Sequence, residues 1–410
     1  MGRISGSAIA VVLNGGMTVP SGPLVQRLRP FTSTIFAEMS TLALARGAIN
    51  LGQGFPDTDG PAAMLQAARQ AIADGVNQYP PGPGIPELRA AVAATRLADH
   101  HQVFDPDTEV LVTTGATEAI AAAVIGLVEP GDEVIALEPF YDSYPAVVAM
   151  AQGRLVPVQL RQSGGAPAGR FGLDPDELQA AVTDRTRMIL LNSPHNPTGT
   201  VLTRQELESV AALAISRDLL VVTDEVYEHL TFDDAAHIPI GTVPGMAERT
   251  LTISSAGKTF NVTGWKIGWA AGPAPLIAAV RAAKQFLTFV GGAPFQPAVA
   301  LALRTEQEWV AHLRKGLQHK RDRLCEGLSV AGFRVVRPQG TYFAVADIRP
   351  LGGTDGLTFC RELPDRCGVV AVPQQVFYSD PAAGAHLVRF AFCKRDEVIE
   401  EAVSRLAAMR

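Results

Sequence analysis

The segment ISSAGKTFNVTGWKIGW, residues 253–269, combines residue types that could perform chemistry. Lys258 stands among small residues, with Ser255 three positions before it. A lysine amine in such a stretch suits three kinds of chemistry: binding nucleotide phosphates, activating a serine nucleophile, or forming a Schiff base with an aldehyde. Each of the three needs partner residues elsewhere in the chain, so the rest of the sequence discriminates among them.

Two of these chemistries lack their partner residues. A phosphate-binding loop of the G-x-x-x-x-G-K-[ST] type needs a glycine five positions before Gly257, and Thr252 stands there. The S-x-x-K pattern of penicillin-binding proteins is accompanied by S-D-N and K-T-G motifs, and this sequence contains neither. The sequence therefore favours Schiff-base chemistry at Lys258.

A carboxylate and an anion-binding turn accompany this lysine. Asp224 ends the apolar run VVTD, Tyr227 follows three residues later, and Asn196 comes shortly after the run MILLN. Residues 115–117 stand where a predicted strand gives way to a predicted helix, and the free backbone amides of a helix start bind anions. Because ligands bind at the carboxyl edge of open α/β sheets, these residues are expected to converge. An aldehyde cofactor with a ring nitrogen and a phosphate would find a partner for each group.

The elements that position these residues are predicted from seven continuously apolar runs between about residues 109 and 272. Such runs are typical of parallel strands that are buried on both faces. Helix starts are predicted at Asp174 with Pro175, and at Thr203 with Glu206 as a capping box. The fold class is therefore α/β: a three-layer α/β/α large domain around a mostly parallel seven-stranded sheet, with a smaller α+β domain.

The domain division follows from changes of pattern along the chain. After Gly292 the long helical stretch and the short strands no longer alternate regularly, which indicates the smaller domain. The true start of the chain is either Met1 or Met17. The expected parts are a disordered lead-in (1–26), an N-terminal segment that joins the small domain (27–60), the large domain (61–292) and the small C-terminal domain (293–410).

Composition excludes several classes of protein. The chain is 47% hydrophobic and 19% charged, which is typical of a folded globular protein, and its net charge of −6 argues against nucleic-acid binding. The four cysteines show neither disulfide nor zinc-site spacing, so no metal is predicted and a reducing cytoplasm is expected. With no apolar run long enough for a membrane span or a signal peptide, the expected partners are small molecules.

Three motifs in order, NPTG (196–199), DEVY (224–227) and SSAGKTFNVTGWKIGW (254–269), resemble those of fold-type-I aminotransferases that use pyridoxal 5′-phosphate. INLGQGFPD, NQYPPGPGIPELR and EPFYDSY resemble the kynurenine and methionine aminotransferase-like branch. Within that branch, RPFTSTIFAEMSTLA, VGGAPFQPAVALAL and HLVRFAFCKRD are most similar to actinobacterial N-succinyldiaminopimelate aminotransferases. The resemblance covers the chain from about residue 27 to its end and implies an aspartate aminotransferase-like fold and a homodimer.

The resemblance also implies roles around the cofactor ring. Lys258 would hold the cofactor as a Schiff base and shuttle a proton between the substrate and the cofactor. Asp224 would pair with the ring nitrogen. Asn196 and Tyr227 would bind the phenolic oxygen, and Phe140 would stack on the ring face.

At the two ends of the ligand, the resemblance implies a phosphate site and a carboxylate site. The phosphate residues would be Gly115, Ala116, Thr117, Ser255, Lys266 and, from the partner subunit of a dimer, Tyr79. The substrate carboxylate residues would be Arg389, Gly54 and Asn196. Many aminotransferases carry arginine at the position of Lys266, and the kynurenine-type branch carries lysine, so this difference supports the branch.

The implied activity is ping-pong transfer of an amino group between an amino acid and a 2-oxo acid. The implied substrates are N-succinyl-2-amino-6-oxopimelate and glutamate, in lysine and cell-wall precursor synthesis. Alternatives are a methionine or kynurenine aminotransferase, a cysteine-S-conjugate β-lyase, and a regulator that only binds the cofactor. Taken singly, each residue also has a plain structural explanation: Asp224 as a turn residue, Phe140 as core, Arg389 as a solvent-facing strand residue.

Overall fold

The computed structural model describes residues 23–32, 34–162 and 169–409. Residues 1–22 of the predicted lead-in (1–26), and with them the choice between Met1 and Met17, lie outside the described residues. The strands are β1 (Ile49–Asn50), β2 (Val110–Thr113), β3 (Glu133–Glu138), β4 (Arg154–Gln159), β5 (Arg161–Gln162), β6 (Phe171–Gly172), β7 (Thr186–Asn192), β8 (Leu220–Asp224), β9 (Thr250–Ser255), β10 (Gly268–Ala271), β11 (Arg334–Val336), β12 (Phe343–Asp347), β13 (Val369–Val370), β14 (Val372–Pro373) and β15 (Leu387–Ala391).

The helices fall before, between and after these strands. They are α1 (Ile35–Arg46), α2 (Ala62–Ala73), α3 (Pro86–His100), α4 (Gly115–Leu127), α5 (Ser143–Met150), α6 (Pro175–Ala180), α7 (Arg204–Ser216), α8 (Ala256–Thr259), α9 (Ala274–Lys284), α10 (Phe295–Thr305), α11 (Gln307–Val330), α12 (Gly356–Cys367) and α13 (Asp396–Ala407). Short 3₁₀ helices lie at Gln26–Phe31, Ile240–Thr242, Ala247–Arg249, Thr263–Trp265, Arg349–Leu351, Gln374–Phe377 and Pro381–Gly384. Both predicted helix starts are confirmed: Asp174 caps α6, and Thr203 with Glu206 forms a capping box on α7.

A seven-stranded sheet forms the centre of the molecule, in the order β2-β10-β9-β8-β7-β3-β4. All neighbours are parallel except β10, which is antiparallel to both β2 and β9. Successive residues of one strand enter opposite cores: Ile189 packs beside α7, and Leu190 packs with α4. This burial on both faces explains the continuous apolar runs, and it confirms the predicted three-layer α/β fold.

The carboxyl ends of the parallel strands meet along one edge of this sheet. Strand β8 ends at Asp224, β9 ends at Ser255, and β7 ends at Asn192. The antiparallel strand β10 starts at this same edge, because Gly268 pairs with Ser255. Residues before β10 and residues after the parallel strands therefore come together in space.

A second sheet, in the order β11-β12-β15-β14, is antiparallel throughout. The N-terminal segment joins its surroundings through β1, which pairs in parallel with β13, and through α1, whose Met39 and Ala43 lie in the same core as Phe390. Two residues of this sheet, Arg389 on β15 and Phe343 on β12, lie beside residues at the carboxyl edge of the large sheet.

Helix α10 comes just after the predicted domain boundary at 292/293, and it packs against the large sheet. Val299 and Leu303 pack with Leu88 and Val92 of α3 and with Trp269 of β10, in the core of the large sheet. The change from this core to the core of the smaller layer occurs within α11, which contacts α13 further along its length. The glycines at 291 and 292 mark a turn before α10 rather than the end of the large layer, and the domain limits themselves remain a prediction.

Among the described residues, no helix is both long enough and apolar enough to cross a membrane. The longest, α11, spans 24 residues and carries charged side chains along most of its length.

Candidate active site

A cleft of about 260 Å³ lies at the carboxyl edge of the large sheet, between that edge and the smaller layer. Side chains from the loops after β7, β8 and β9 form one wall, and side chains from β12, β15 and the N-terminal segment form the other. It is lined by Phe36, Gln53, Gly54, Phe55, Gly115, Ala116, Thr117, Ile120, Tyr141, Asn192, Asn196, Asp224, Val226, Tyr227, Ser255, Gly257, Lys258, Thr263, Lys266, Ile267, Phe343 and Arg389. All residues predicted from the sequence for this site line the cleft except Phe140 and Tyr79.

Lys258 reaches the cleft from α8, the single turn that follows β9. Its Nζ donates a hydrogen bond to the Tyr342 hydroxyl at 2.9 Å, and that hydroxyl donates to the Gly54 carbonyl at 2.6 Å. Burial lowers the pKa of Lys258 to about 8, although the nearby Cys393 and Asp224 oppose this shift. Roughly a tenth of the amine is therefore unprotonated at pH 7, far more than for an ordinary lysine, and attack on an aldehyde requires this neutral form.

Asp224 is buried at the end of β8 and lines the same cleft. Burial raises the pKa of this carboxyl to about 6, while a hydrogen bond from the Tyr144 hydroxyl to Oδ2, 2.8 Å long, opposes the rise. The Val226 backbone N–H lies 3.4 Å from Oδ1. The carboxylate is thus fixed by two donors and still lacks a full countercharge, which suits a protonated ring nitrogen.

An anion site lies where α4 begins. Gly115 has φ +74°, and the first turn of α4 presents backbone amides to the cleft. Lys266, also left-handed at φ 54°, lies so close that a Cβ on Gly115 would be 3.3 Å from its Cε. With the Ser255 side chain on the same cleft wall, the group combines amides, a hydroxyl and an ammonium, which are the donors that bind a phosphate.

Arg389 closes the other end of the cleft and is only 1% exposed. Its Nη1 donates to Asn196 Oδ1 and its Nη2 donates to the Gly52 carbonyl, both at 3.0 Å. Its Nε is buried and has no hydrogen-bond partner within the described part of the chain. Burial lowers the pKa of Arg389 to about 10, so the guanidinium stays charged at neutral pH and is suited to a carboxylate.

Phe140, which was predicted to stack on the cofactor ring, does not line the cleft. Its side chain is 5% exposed and packs in the core with Val134 and Ile120, while its backbone N–H donates to the Phe377 carbonyl. The next residue, Tyr141, lines the cleft instead. The motif EPFYDSY contains two adjacent aromatic residues, and only the backbone direction after β3 decides which one faces the cleft.

Three polar residues of the site had no role in the sequence prediction. Tyr342 bonds Lys258, Tyr144 bonds Asp224, and Asn192 Oδ1 accepts from the Asn196 backbone N–H at 2.7 Å. Tyr144 stands within EPFYDSY and Asn192 ends an apolar run, so both were present in quoted motifs. Nothing in the sequence near Tyr342 indicates that its hydroxyl lies beside a lysine 84 positions away.

The lowered pKa of Lys258 predicts how cofactor attachment depends on pH. When pyridoxal 5′-phosphate is added to cofactor-free protein, the attachment rate should rise about tenfold per pH unit below pH 8 and level off above it, because only the neutral amine reacts. Stopped-flow absorbance between about pH 6 and pH 10 measures this rate. A rate that keeps rising towards pH 10 would show that Lys258 keeps an ordinary lysine pKa.

The fold and the cleft are those of an aminotransferase. A sequence model of the family described as "Aminotransferase class I and II" matches residues 46–406, and the chain belongs to this family. The predicted resemblance and the predicted aminotransferase activity are thereby confirmed.

Individual relatives give a finer comparison. The probable N-succinyldiaminopimelate aminotransferase of Mycobacterium tuberculosis is 60% identical over 395 residues, which cover 94% of this chain and 98% of that protein. The solved structure of the N-succinyldiaminopimelate aminotransferase from this organism superposes with a TM-score of 0.92, covering 94% of this chain and 100% of the other. The methionine aminotransferase of Escherichia coli is 37% identical, covering 94% and 99%. Kynurenine–oxoglutarate transaminase 1 of Mus musculus is also 37% identical, covering 94% and 97%.

Proposed function

We propose that the cleft binds pyridoxal 5′-phosphate. The observation that carries the proposal is the placement of one reactive amine, Lys258, between a buried carboxylate at Asp224 and an anion site at Gly115 and Lys266. When bound, this cofactor supplies an aldehyde that links to an amine and a ring that accepts electrons from the substrate α-carbon. The donors present fit its phosphate, and the carboxylate fits its ring nitrogen.

The residues of the chain then have separate tasks. Lys258 would hold the cofactor through Nζ, and the same amine would take and return the proton of the substrate α-carbon. Asp224 keeps a proton on the ring nitrogen, and Asn196 and Tyr227 donate to the phenolic oxygen. Arg389 fixes the substrate carboxylate, with Gly54 beside it in the cleft wall. Ala116, Thr117 and Ser255 complete the phosphate site.

We propose that the substrates are N-succinyl-2-amino-6-oxopimelate as amino acceptor and glutamate as donor. The support is the 60% identity with the M. tuberculosis relative over nearly the whole of both chains, against 37% for the methionine and kynurenine enzymes. The N-terminal residues Phe36, Gln53 and Phe55 line the mouth of the cleft. They are placed to meet whatever lies beyond the α-carbon of the substrate.

Steady-state kinetics with 2-oxoglutarate as acceptor test the substrate in the reverse direction. We expect kcat/KM for N-succinyl-diaminopimelate to exceed that for methionine and for kynurenine by about 100-fold or more, because the amide and two carboxylates of its distal part allow contacts that neither competitor can make. A preference for methionine or kynurenine would assign the chain to the other branch. Pyruvate and ammonia formed from a cysteine conjugate without an acceptor would indicate a β-lyase.

We further propose that two chains form a homodimer in which Tyr79 reaches the phosphate site of the partner subunit. Tyr79 is 80% exposed and does not line the cleft of its own chain. Its ring lies 5.4 Å from that of Phe289, edge to face, and Phe286, three residues earlier in the chain, is 85% exposed. Such an exposed aromatic patch supports an interface with a second copy. The four cysteines are free, which supports a cytoplasmic location.

A double-mutant cycle tests the placement of Tyr79. Tyr79→Phe should weaken pyridoxal 5′-phosphate binding by about tenfold or more in the dimer, because a hydrogen bond to a charged group is lost. In a background dissociated by Phe286→Asp, the same change should have no effect, since the partner subunit is gone. Equilibrium dialysis measures affinity and sedimentation measures the oligomeric state. An equal loss in both backgrounds would place Tyr79 in its own chain's site.

A further inference from the structure

A second cluster of ionisable groups lies beneath the turn that follows β8. Arg96 of α3 is 2% exposed and donates to both Glu225 and Glu228. His100, at the end of α3, places Nε2 3.2 Å from Glu228 Oε2, and His237 places Nε2 3.1 Å from Glu225 Oε2. None of these residues lines the active-site cleft described above.

The donor atoms are spaced as metal ligands are. The ligating atoms of His100, Glu228 and His237 all lie within 4.8 Å of one another. Two nitrogen or oxygen ligands of a tetrahedral zinc ion lie roughly 3.3 Å apart, close to the separations of the two histidine–glutamate pairs. Arg96 and Ser254 hold the carboxylates from outside, the latter through a 2.5 Å bond from its Oγ to Glu228 Oε1.

One ligand candidate lacks a hydrogen bond of its own. The His237 side chain is 3% exposed, and its Nδ1 makes no hydrogen bond within the described residues. Its Nε2 lies 3.1 Å from Glu225 Oε2. A buried imidazole of this kind is costly unless another partner satisfies it.

Carboxylates outnumber arginine and lysine side chains in this cluster. Glu225, Glu228 and the nearby Asp99 are acidic, whereas Arg96 is the only arginine or lysine that pairs with the two glutamates among the described residues. The two buried glutamates share this one guanidinium, so a cation bound beside them would offset the remaining negative charge.

A route to the cluster is also present. A second cavity of about 490 Å³ lies between α3, α10 and α11, and Asp99, Glu228 and His229 line it. His229 Nδ1 lies 3.9 Å from Asp99 Oδ2, and its Nε2 lies 4.0 Å from Glu228 Oε1. An ion could reach Glu228 through this cavity without passing the active-site cleft.

We infer that His100, His237 and Glu228, with Glu225, form a binding site for a divalent transition metal of the zinc class. Mixed imidazole and carboxylate donors at these separations favour zinc, cobalt or nickel over calcium or magnesium. Glu225 and Glu228 flank Tyr227 and directly follow Asp224. A bound ion therefore fixes the turn that carries two residues of the active site, from the side opposite to the cleft. No local pattern indicates this site, because His100 and Glu228 lie 128 positions apart in the sequence.

Cobalt(II) titration of the holoenzyme, without an affinity tag, tests the site. We expect about one equivalent to bind per chain, with visible absorption bands of tetrahedral cobalt at wavelengths beyond those of pyridoxal 5′-phosphate, and zinc to displace it. Metal should also raise the Tm of the wild-type protein. His100→Gln and His237→Gln should each lose the bands and the rise in Tm.

His101→Asn is the matched control, because His101 is exposed, left-handed at φ 57° and adjacent to His100. It should bind cobalt like the wild type. Wild-type protein that binds no stoichiometric cobalt would overturn the proposal whatever the variants do. Equal binding in the wild type and in both glutamine variants would overturn it too, because the ion would then sit elsewhere.

Discussion

Replacing Lys258 by arginine is expected to reduce kcat by on the order of 10⁴-fold, the largest effect of any single substitution in the cleft. A guanidinium neither links to an aldehyde nor gives up its proton near neutral pH, so both tasks proposed for Lys258 are lost. The variant should also lack the absorbance of covalently attached cofactor. Steady-state kinetics at saturating pyridoxal 5′-phosphate measure the loss.

Lys266→Arg is the matched control for this variant. Lys266 contributes positive charge beside Gly115, and arginine supplies the same charge with more donors, so activity should remain within about tenfold of the wild type. The contrast separates a covalent task from an electrostatic one in a single stretch of sequence. Equal losses in the two variants would mean that this division of roles is mistaken.

Arg389→Lys is expected to lower kcat/KM by about 100-fold to 1000-fold for amino acids and 2-oxo acids alike. The guanidinium already bonds Asn196 and the Gly52 carbonyl and has Nε left over, whereas an ammonium cannot span all three partners. Removing one partner of a buried charged pair costs about 2–5 kcal/mol. Phe343, whose ring centroid lies 4.0 Å from the guanidinium, would lose its stacked partner as well.

Two readouts separate substrate binding from damage to the fold. The absorbance of bound cofactor should be unchanged in Arg389→Lys, because Arg389 lies at the substrate end of the cleft. Arg395→Lys, six residues further on and with a side chain 56% exposed, should behave like the wild type. A loss confined to kcat, with unchanged KM for every substrate, would argue against a role in holding the carboxylate.

The parts that the sequence predicted correctly depend on short-range patterns. Continuous apolar runs identify parallel strands, and the residue after each run must then lie at the carboxyl edge of the sheet. Asp224 and Ser255 could be placed in this way without any knowledge of packing. Their convergence with Lys258 follows from the parallel arrangement of β8 and β9, which a run of apolar residues already implies.

The parts that the sequence missed depend on long-range geometry. The hydroxyl of Tyr342 meets Lys258 only because β12 of the smaller layer approaches α8, and nothing local indicates that approach. The choice between Phe140 and Tyr141 depends on one backbone turn after β3. The packing of α10 against α3 is likewise set by the tertiary fold, while the domain limits stay a prediction. His100 and His237 meet for the same reason, through packing between α3 and a distant loop.

A half-reaction with the purified enzyme tests the central claim most directly, namely that the chain transfers amino groups through a cofactor held at Lys258. Mixing with glutamate should shift the absorbance of the bound cofactor and release about one equivalent of 2-oxoglutarate per chain, without ammonia. Adding the succinylated 2-oxo acid alone should then restore the original spectrum. No shift with any amino acid in a broad panel, or the release of ammonia in place of a reversible shift, would contradict the claim.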